Sequence, residues 1–520
     1  MAFTRRSFCS YPLFLTGSRL PFVAWYKYLG VIIDRGLTWS RQITALGATT
    51  GSYVNVLRRL CGSSWGPSCT DLLQVHNSLI MGTLRYCLPV LHGISPFKER
   101  QLLNLQARSL RTCLGVPKTT ETFSAIAEAR VPSVLIIRDT ATLQTYTRCL
   151  VRHPCHHLRD VTQHCPASAY GQAVLRLQGQ IPPSHTSVSY TEPLWTLSPP
   201  PVHTSVPGLP KKSHVPAVVA CQLTLQHLYS LNSNRMEIYT DGSVASDGSS
   251  SAFYIPEEAY ERGFKLLPTL SSTEAEAVAI LSALRYISSS TPRAWTILSD
   301  SKSALEAVAS YSPKVINDIY TEIICLHAKL SSLGHSVWFQ WIPGHVGILG
   351  NAIADSAARS ARAAGPVTSV QLTQSACQLA IRRYCGNSSQ AFFQDAARTN
   401  PFLHSSDPTM THTLVGRYPR EEESLLHRLR LNVARTPLLL FKMGHLSSPN
   451  CPTCHVEGDI PHLLLYCTRY HQHRLLLRSR IARLTVSDLS PATLLGPTQY
   501  SQVTKALPQF LRSCGLLSEL

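Results

Sequence analysis

The stretch "IYTDGS", Ile238 to Ser243, sets an aspartate directly behind an apolar run with strand character, and three more acidic residues follow where side chains can converge. Asp241 comes at the end of this first strand and Glu276 lies one turn into a helix. Asp300 closes "AWTILSD", and Asp355 lies on a later helix. A bare Asp-Gly is a turn signal, and a lone Asp355 is a solvated helix carboxylate. Taken as a set, the four point to metal chemistry, because hard divalent cations take hard oxygen ligands. Two such ions roughly 4 Å apart can activate water and stabilise the leaving oxygen in an in-line phosphodiester hydrolysis. Glu276 is expected to face the core, since Ala279, Ile280 and Ala283 follow at i+3, i+4 and i+7. A carboxylate on that stripe needs a partner, and a divalent cation is the simplest one. Glu274 competes from a different helix face; the apolar periodicity favours Glu276.

The elements that must position these groups follow a mixed α/β order. "RMEIYT", "SAFYI" and "GFKLLP" read as three strands, and "STEAEAVAILSALRYI" as a helix opened by a Ser/Thr cap with Glu behind it. "AWTILS" and "SVWFQWI" are two further strands. "SKSALEAVASY", "VINDIYTEIICLHAKLSSL" and "NAIADSAARSARA" are helices. An antiparallel start followed by alternating strands and helices implies a mixed five-stranded sheet with helices on its faces. In such sheets ligands bind beyond the strand ends, where Asp241 and Asp300 fall.

The blocks "YTDGS", "STEAEAVAILSAL", "ILSDSKSAL" and "WIPGHVGILGNAIADSAA" resemble, in order and spacing, the four motif blocks of the type 1 ribonuclease H family. The resemblance covers about 130 residues, and four ordered blocks are far more specific than any one of them. It implies a ribonuclease H-like fold and an endonuclease that cuts the RNA strand of an RNA–DNA hybrid with two Mg²⁺ ions, for which Mn²⁺ can substitute. The family's metal-binding carboxylates fall on Asp241, Glu276, Asp300 and Asp355, its loop histidine on His345 and its substrate-contacting asparagine on Asn351. Asn351 also reads as a cap of the helix that follows it. Gly242 and Ser243 are expected at the substrate, Gly242 by letting the backbone come close, while Gly344 and Gly347 free the loop of His345. A histidine there suits proton transfer or product release.

The 520-residue chain is 44% hydrophobic with a net charge of +18, which fits a globular protein with a polyanionic partner. Between Arg235 and Arg362, 10 basic residues face 13 acidic ones, so the basic charge flanks an acidic island. The 16 cysteines lack the spacing of a secreted disulfide scaffold. Ser10, Pro12 and Thr16 interrupt the apolar patch near the start, and no run of eighteen apolar residues occurs. An intracellular protein with neither signal peptide nor membrane span is expected.

Composition divides the chain at 1–164, a largely helical region; 165–216, a Pro/Ser/Thr-rich linker expected to be extended; 217–365, the acidic island; 366–440, a basic helical region; and 441–520. "FVAWYKYLGVIIDRGLTW", containing a short strand, and "ETFSAIAEARVPSVLIIRD" resemble the segments that follow the palm in non-LTR retrotransposon reverse transcriptases. Retroelement RNA is then an expected partner, no polymerase activity is expected, and Lys27, Arg58 and Arg59 are candidate phosphate contacts. "CPTCHVEGDIPHLLLYC" offers three thiols and an imidazole, Cys451, Cys454, His462 and Cys467, in C-x2-C-x7-H-x4-C spacing, enough for a tetrahedral Zn²⁺ site. His455, His471 and His473 compete as ligands. The cluster resembles the C-terminal Cys/His motif of the same retrotransposon polyproteins, of which the chain reads as a C-terminal fragment. Two alternatives to hybrid cleavage stay open: a nucleic-acid-binding remnant without turnover, and a related fold acting on DNA.

Overall fold

The computed structural model describes residues 12, 14–152, 160–182, 196–210, 215–312, 318–370, 372–411, 413–415, 418–482, 489–496 and 501–520. Most of the segment read for a signal peptide, 1–11, and the linker stretches 183–195 and 211–214 lie outside the described residues. The chain divides into two compact units, one made of 1–143, 167–174 and 383–520 and the other of 144–166 and 175–382. No helix among the described residues is long and apolar enough to cross a membrane.

In the second unit the strands and helices run β1 (Val202–His203), α1 (Ala217–Leu231), β2 (Met236–Ala245), β3 (Gly248–Ile255), β4 (Tyr260–Leu267), α2 (Ser272–Ile287), β5 (Ala294–Ser299), α3 (Lys302–Ala309), α4 (Asp318–Ser332), β6 (Ser336–Trp341), α5 (Leu349–Ala364) and β7 (Val367–Ser369). The sheet order is β7-β4-β3-β2-β5-β6-β1. Strands β2, β3 and β4 are antiparallel neighbours, whereas β5 joins β2, and β6 joins β5, in parallel. The five expected strands and the ribonuclease H-like arrangement are present. Two short parallel edge strands widen the sheet to seven: β1, from the stretch read as linker, pairs with β6, and β7 pairs with β4.

Buried Trp295, Ile297, Leu298 and Phe339 fill β5 and β6, the near-continuous apolar runs that strands covered on both faces require. Helix α2 starts where its chemistry dictates. The Ser271 hydroxyl accepts the Glu274 backbone N–H while the Glu274 carboxylate reaches back to Ser271, a complete capping box. Across the sheet, α5 closes on Tyr239, Gly263 and Ser250, whose hydroxyl donates to the Ala358 carbonyl at 2.6 Å.

In the first unit the single N-terminal strand expected in "YLGVIID" is instead a hairpin, Trp25–Tyr28 against Val31–Asp34. Leu29 and Gly30, both in the left-handed region, make the two-residue turn. The helices Ser40–Leu60, Cys69–Val75 and Pro96–Leu114 bury one apolar core, and residues of Arg420–Arg430, His471–Ala482 and Ser501–Ser513 bury another.

The N-terminal helical stretch and the Cys/His end of the chain, which composition separates, thus pack as one unit, and ionic bonds without solvent join them. Glu128 accepts from His427 Nδ1 at 2.8 Å and from Arg430 at 2.9 Å, and Arg430 continues to Asp407 at 3.2 Å. Burial pushes the Glu128 carboxyl up, but Arg430 and His427 outweigh it and pull the group down to about 2. A partner left alone in such a site is an uncompensated buried charge. Glu128→Ala is therefore expected to lower the unfolding free energy of this unit by about 3–5 kcal/mol, read as a shift in urea midpoint; a shift within error of zero contradicts the pairing.

Candidate active site

The register of the sheet brings the first two carboxylates together. In the parallel pair β2/β5, Thr240 is opposite Ser299, so the next residue on each strand, Asp241 and Asp300, lies at the same end of adjacent strands. The expectation that β2 ends at Asp241 needs correction. Pairing with β5 stops at Thr240, but β2 continues to Ala245 because Asp241 through Ala245 pair with Ala252 through Gly248 of β3. Asp241 is thus held by a ladder on one side and open to ligand on the other.

The third carboxylate arrives through a close approach of backbone to backbone. A methyl group built on Gly242 would lie 2.6 Å from the Ala275 carbonyl carbon and 2.9 Å from the Glu276 α-carbon, so only glycine lets α2 settle against β2. The close approach expected of Gly242 is therefore to the helix carrying Glu276. The Gly242 backbone N–H favours the ionised Glu276 carboxylate, against the larger effect of burial. Gly344 has the corresponding role beside Asp300, whose carboxyl carbon lies 3.0 Å from where a Gly344 methyl would sit.

One ligand oxygen each from Asp241, Glu276 and Asp300 lies within 4.8 Å of the others. Asp241 and Glu276 are buried, and Glu276 Oε2 has no hydrogen-bond partner. Burial first, then the charges of Asp300 and Asp355, push the Asp241 carboxyl up to about 7, with Arg359 opposing. Glu276 is raised well above its ordinary range by burial, then by Asp241 and Asp300. Crowded, desolvated carboxylates with an orphaned oxygen are the donor set a divalent cation satisfies.

Asp355 stands beside this trio but outside it. Its carboxylate is taken by Arg359, one turn along α5, through Nε at 2.8 Å and through Nη2. Sequence reasoning missed Arg359, although the Asp-to-Arg spacing of i to i+4 on a helix announces such a pair. Glu274 is occupied elsewhere, in the cap of α2 and by the Ser375 hydroxyl.

Asn351 is a third-position residue of α5 and not its cap, which is Ile348. Its amide donates to Asp300 Oδ2 at 3.3 Å, and its buried Oδ1 has no partner. His345 is exposed on the loop between β6 and α5 with a left-handed backbone. Ser243 Oγ accepts from Arg362, which also pairs with Asp247 at 2.9 Å. Lys27, Arg58 and Arg59 lie in the other unit.

In that unit Cys451, Cys454, His462 and Cys467 each offer a ligand atom within a 4.8 Å cluster. Cys467 Sγ lies 3.8 Å from both Cys451 Sγ and Cys454 Sγ. Two thiolates on a tetrahedral zinc, each at about 2.3 Å, stand about 3.8 Å apart. His462 Nε2 is buried without a partner. Hydrogen bonds from the Thr468 hydroxyl and backbone lower the Cys454 thiol to about 7, while burial pushes Cys467 up to about 11. His455, His471 and His473 are not part of the cluster.

The raised carboxyls make stability depend on pH. A carboxyl whose folded pKa exceeds its unfolded value loses stability as pH rises between the two, here from about 4 to about 7 for Asp241. Protein stripped of divalent ions is therefore expected to melt higher at pH 5 than at pH 8. Mg²⁺ is expected to raise the melting temperature more at pH 8 than at pH 5. Asp241→Asn should raise the ion-free melting temperature at pH 8 by a few degrees; a flat pH profile contradicts the crowding.

A family model described as RNase H matches residues 233–363. The RNA-directed DNA polymerase from mobile element jockey of Drosophila funebris is 30% identical over 142 residues, 27% of this chain and 15% of that relative. The chain thus spans about a seventh of the length of the curated relative it matches. The five strands β2 to β6, the paired strand ends and the carboxylate trio fall within the matched segment, and residues 233–363 are a ribonuclease H domain in a chain similar to a mobile-element polymerase.

Proposed function

We propose that this domain hydrolyses the RNA strand of RNA–DNA hybrids endonucleolytically, with Asp241, Glu276, Asp300 and Asp355 holding two divalent cations, Mg²⁺ or Mn²⁺. The observation that carries the reading is the trio Asp241, Glu276 and Asp300, the first two buried, within 4.8 Å and with an unpartnered Glu276 oxygen, inside the matched segment. When bound, the cations supply water activation and neutralise charge at the scissile phosphate.

The remaining groups bind and orient. Asn351 fixes Asp300 through its amide and keeps Oδ1 for a sugar hydroxyl. His345, exposed on its loop, moves a proton between the departing product and solvent. Asp355, one of the four carboxylates that would hold the cations, pairs with Arg359 here, and the exposed Arg359 guanidinium would be free for a phosphate once Asp355 served as a ligand. Preference for a hybrid comes from 2′-hydroxyl contacts to one strand and from shape on the other.

Incubation with labelled hybrid, duplex DNA and duplex RNA, with and without Mg²⁺, tests the proposal. Mg²⁺-dependent cutting of hybrid alone is expected, leaving 5′-phosphate ends. Asp300→Asn should lose that cutting by orders of magnitude while melting within a few degrees of wild type. Binding without cutting points instead to a nucleic-acid-binding remnant, and cutting of duplex DNA to a related nuclease.

In the other unit, Cys451, Cys454, His462 and Cys467 are assigned a structural Zn²⁺, supported by the 3.8 Å sulfur spacing and the unpartnered His462 nitrogen. Zinc analysis of the purified protein is expected to fall by one equivalent per chain in Cys454→Ser; unchanged zinc rules the assignment out.

A further inference from the structure

A second set of metal-ligating side chains lies in the first unit, away from both sites above. Cys69 opens the helix Cys69–Val75, while Glu423 and His427 are one turn apart on Arg420–Arg430. One ligand atom from each lies within 4.8 Å of the others, and all three residues are buried, with no exposed surface.

The decisive feature is the histidine. His427 Nδ1 lies 2.8 Å from Glu128, a carboxylate in a buried ion pair with Arg430 at 2.9 Å. An ionised carboxylate can only accept, so Nδ1 carries the hydrogen and donates it. The lone pair is therefore on Nε2, which is buried and has no partner. A carboxylate bonded to one imidazole nitrogen, leaving the other bare, is how proteins orient a histidine toward a metal. Left without an ion, the bare nitrogen costs about 1–3 kcal/mol of unrecovered solvation.

Two other observations converge on the same point. The Glu423 carboxylate accepts the Cys69 backbone N–H at 3.1 Å, tying the acid to the cysteine. Were the Cys69 thiol donating to His427 Nε2, that nitrogen would have a partner; it has none.

We infer that Cys69, Glu423 and His427 form a second, buried binding site for a divalent ion of the zinc type. One thiolate, one imidazole and one carboxylate are ligands zinc accepts, and the thiolate and carboxylate offset its charge. Binding releases the Cys69 thiol proton to solvent, and His427 already presents an unprotonated nitrogen. The ion joins residues 354 positions apart, so it fastens the N-terminal helices to the C-terminal part of the unit as the Glu128–Arg430 pair does.

The test is metal analysis of the full chain purified without chelator and re-equilibrated with Zn²⁺, followed by Co²⁺ substitution. Wild type is expected to hold two equivalents of zinc. Cys69→Ser and His427→Gln, each verified as folded by circular dichroism, should each hold one. The double variant Cys451→Ser/Cys454→Ser should keep one equivalent and show a thiolate-to-Co²⁺ band in the near ultraviolet at single-sulfur intensity. Wild type holding no zinc overturns the inference, as does a folded Cys451→Ser/Cys454→Ser variant that holds none. So does unchanged zinc in Cys69→Ser and His427→Gln. Absence of zinc from the wild type is decisive even if a variant does not fold.

Discussion

Three carboxylates crowded into a poorly solvated corner repel each other, and the rest of the ribonuclease H domain exists around that repulsion. Burial raises the cost of ionising Asp241 and Glu276, the Asp300 charge adds to both, and Asp241 adds to that of Glu276. A protein gains nothing in stability from such an arrangement. On the reading proposed above, a doubly charged cation would turn the repulsion into binding, and the same low polarity would strengthen the attraction. Arg359, paired with Asp355, offsets part of the repulsion with one delocalised charge at the edge of the site.

The scaffold brings these groups together by register and by close contact. Parallel pairing of β2 with β5 fixes Asp241 and Asp300 at one sheet end, since a slip of one strand by one residue would turn its aspartate to the opposite face. Antiparallel pairing with β3 anchors β2 beyond Asp241. Gly242 lets α2 come down onto the sheet, which delivers Glu276. Each device is a separate backbone contact between elements apart in the chain. Together they place the carboxylates by backbone contacts alone, the kind of fixed placement that oriented phosphate chemistry needs.

Much of this was legible in the sequence because it is written in short-range patterns. The five main strands and the α2 boundaries follow from apolar period and from the Ser271–Glu274 cap. The choice of Glu276 over Glu274 followed from helix periodicity, and the cap explains what Glu274 does instead. The features that escaped are the ones set by partners distant in the chain. The extension of β2 past Asp241 depends on β3. The edge strands β1 and β7 are two and three residues long, too short to carry a period. That Gly242 meets a helix cannot be read from Asp-Gly-Ser. The pairing of Glu128 with His427 and Arg430 spans about three hundred residues and has no local signature.

The central claim is that Asp241, Glu276 and Asp300 gather in order to hold divalent ions, and Mn²⁺ binding followed by electron paramagnetic resonance tests it most directly. Free Mn²⁺ gives a sharp signal that bound ion loses, so titration counts sites without requiring turnover. The expected result is saturable binding to the wild-type chain at pH 8 that is competed by Mg²⁺ and lost in Glu276→Gln. Absence of Mn²⁺ binding by the wild type, or equal binding by Glu276→Gln, would contradict it.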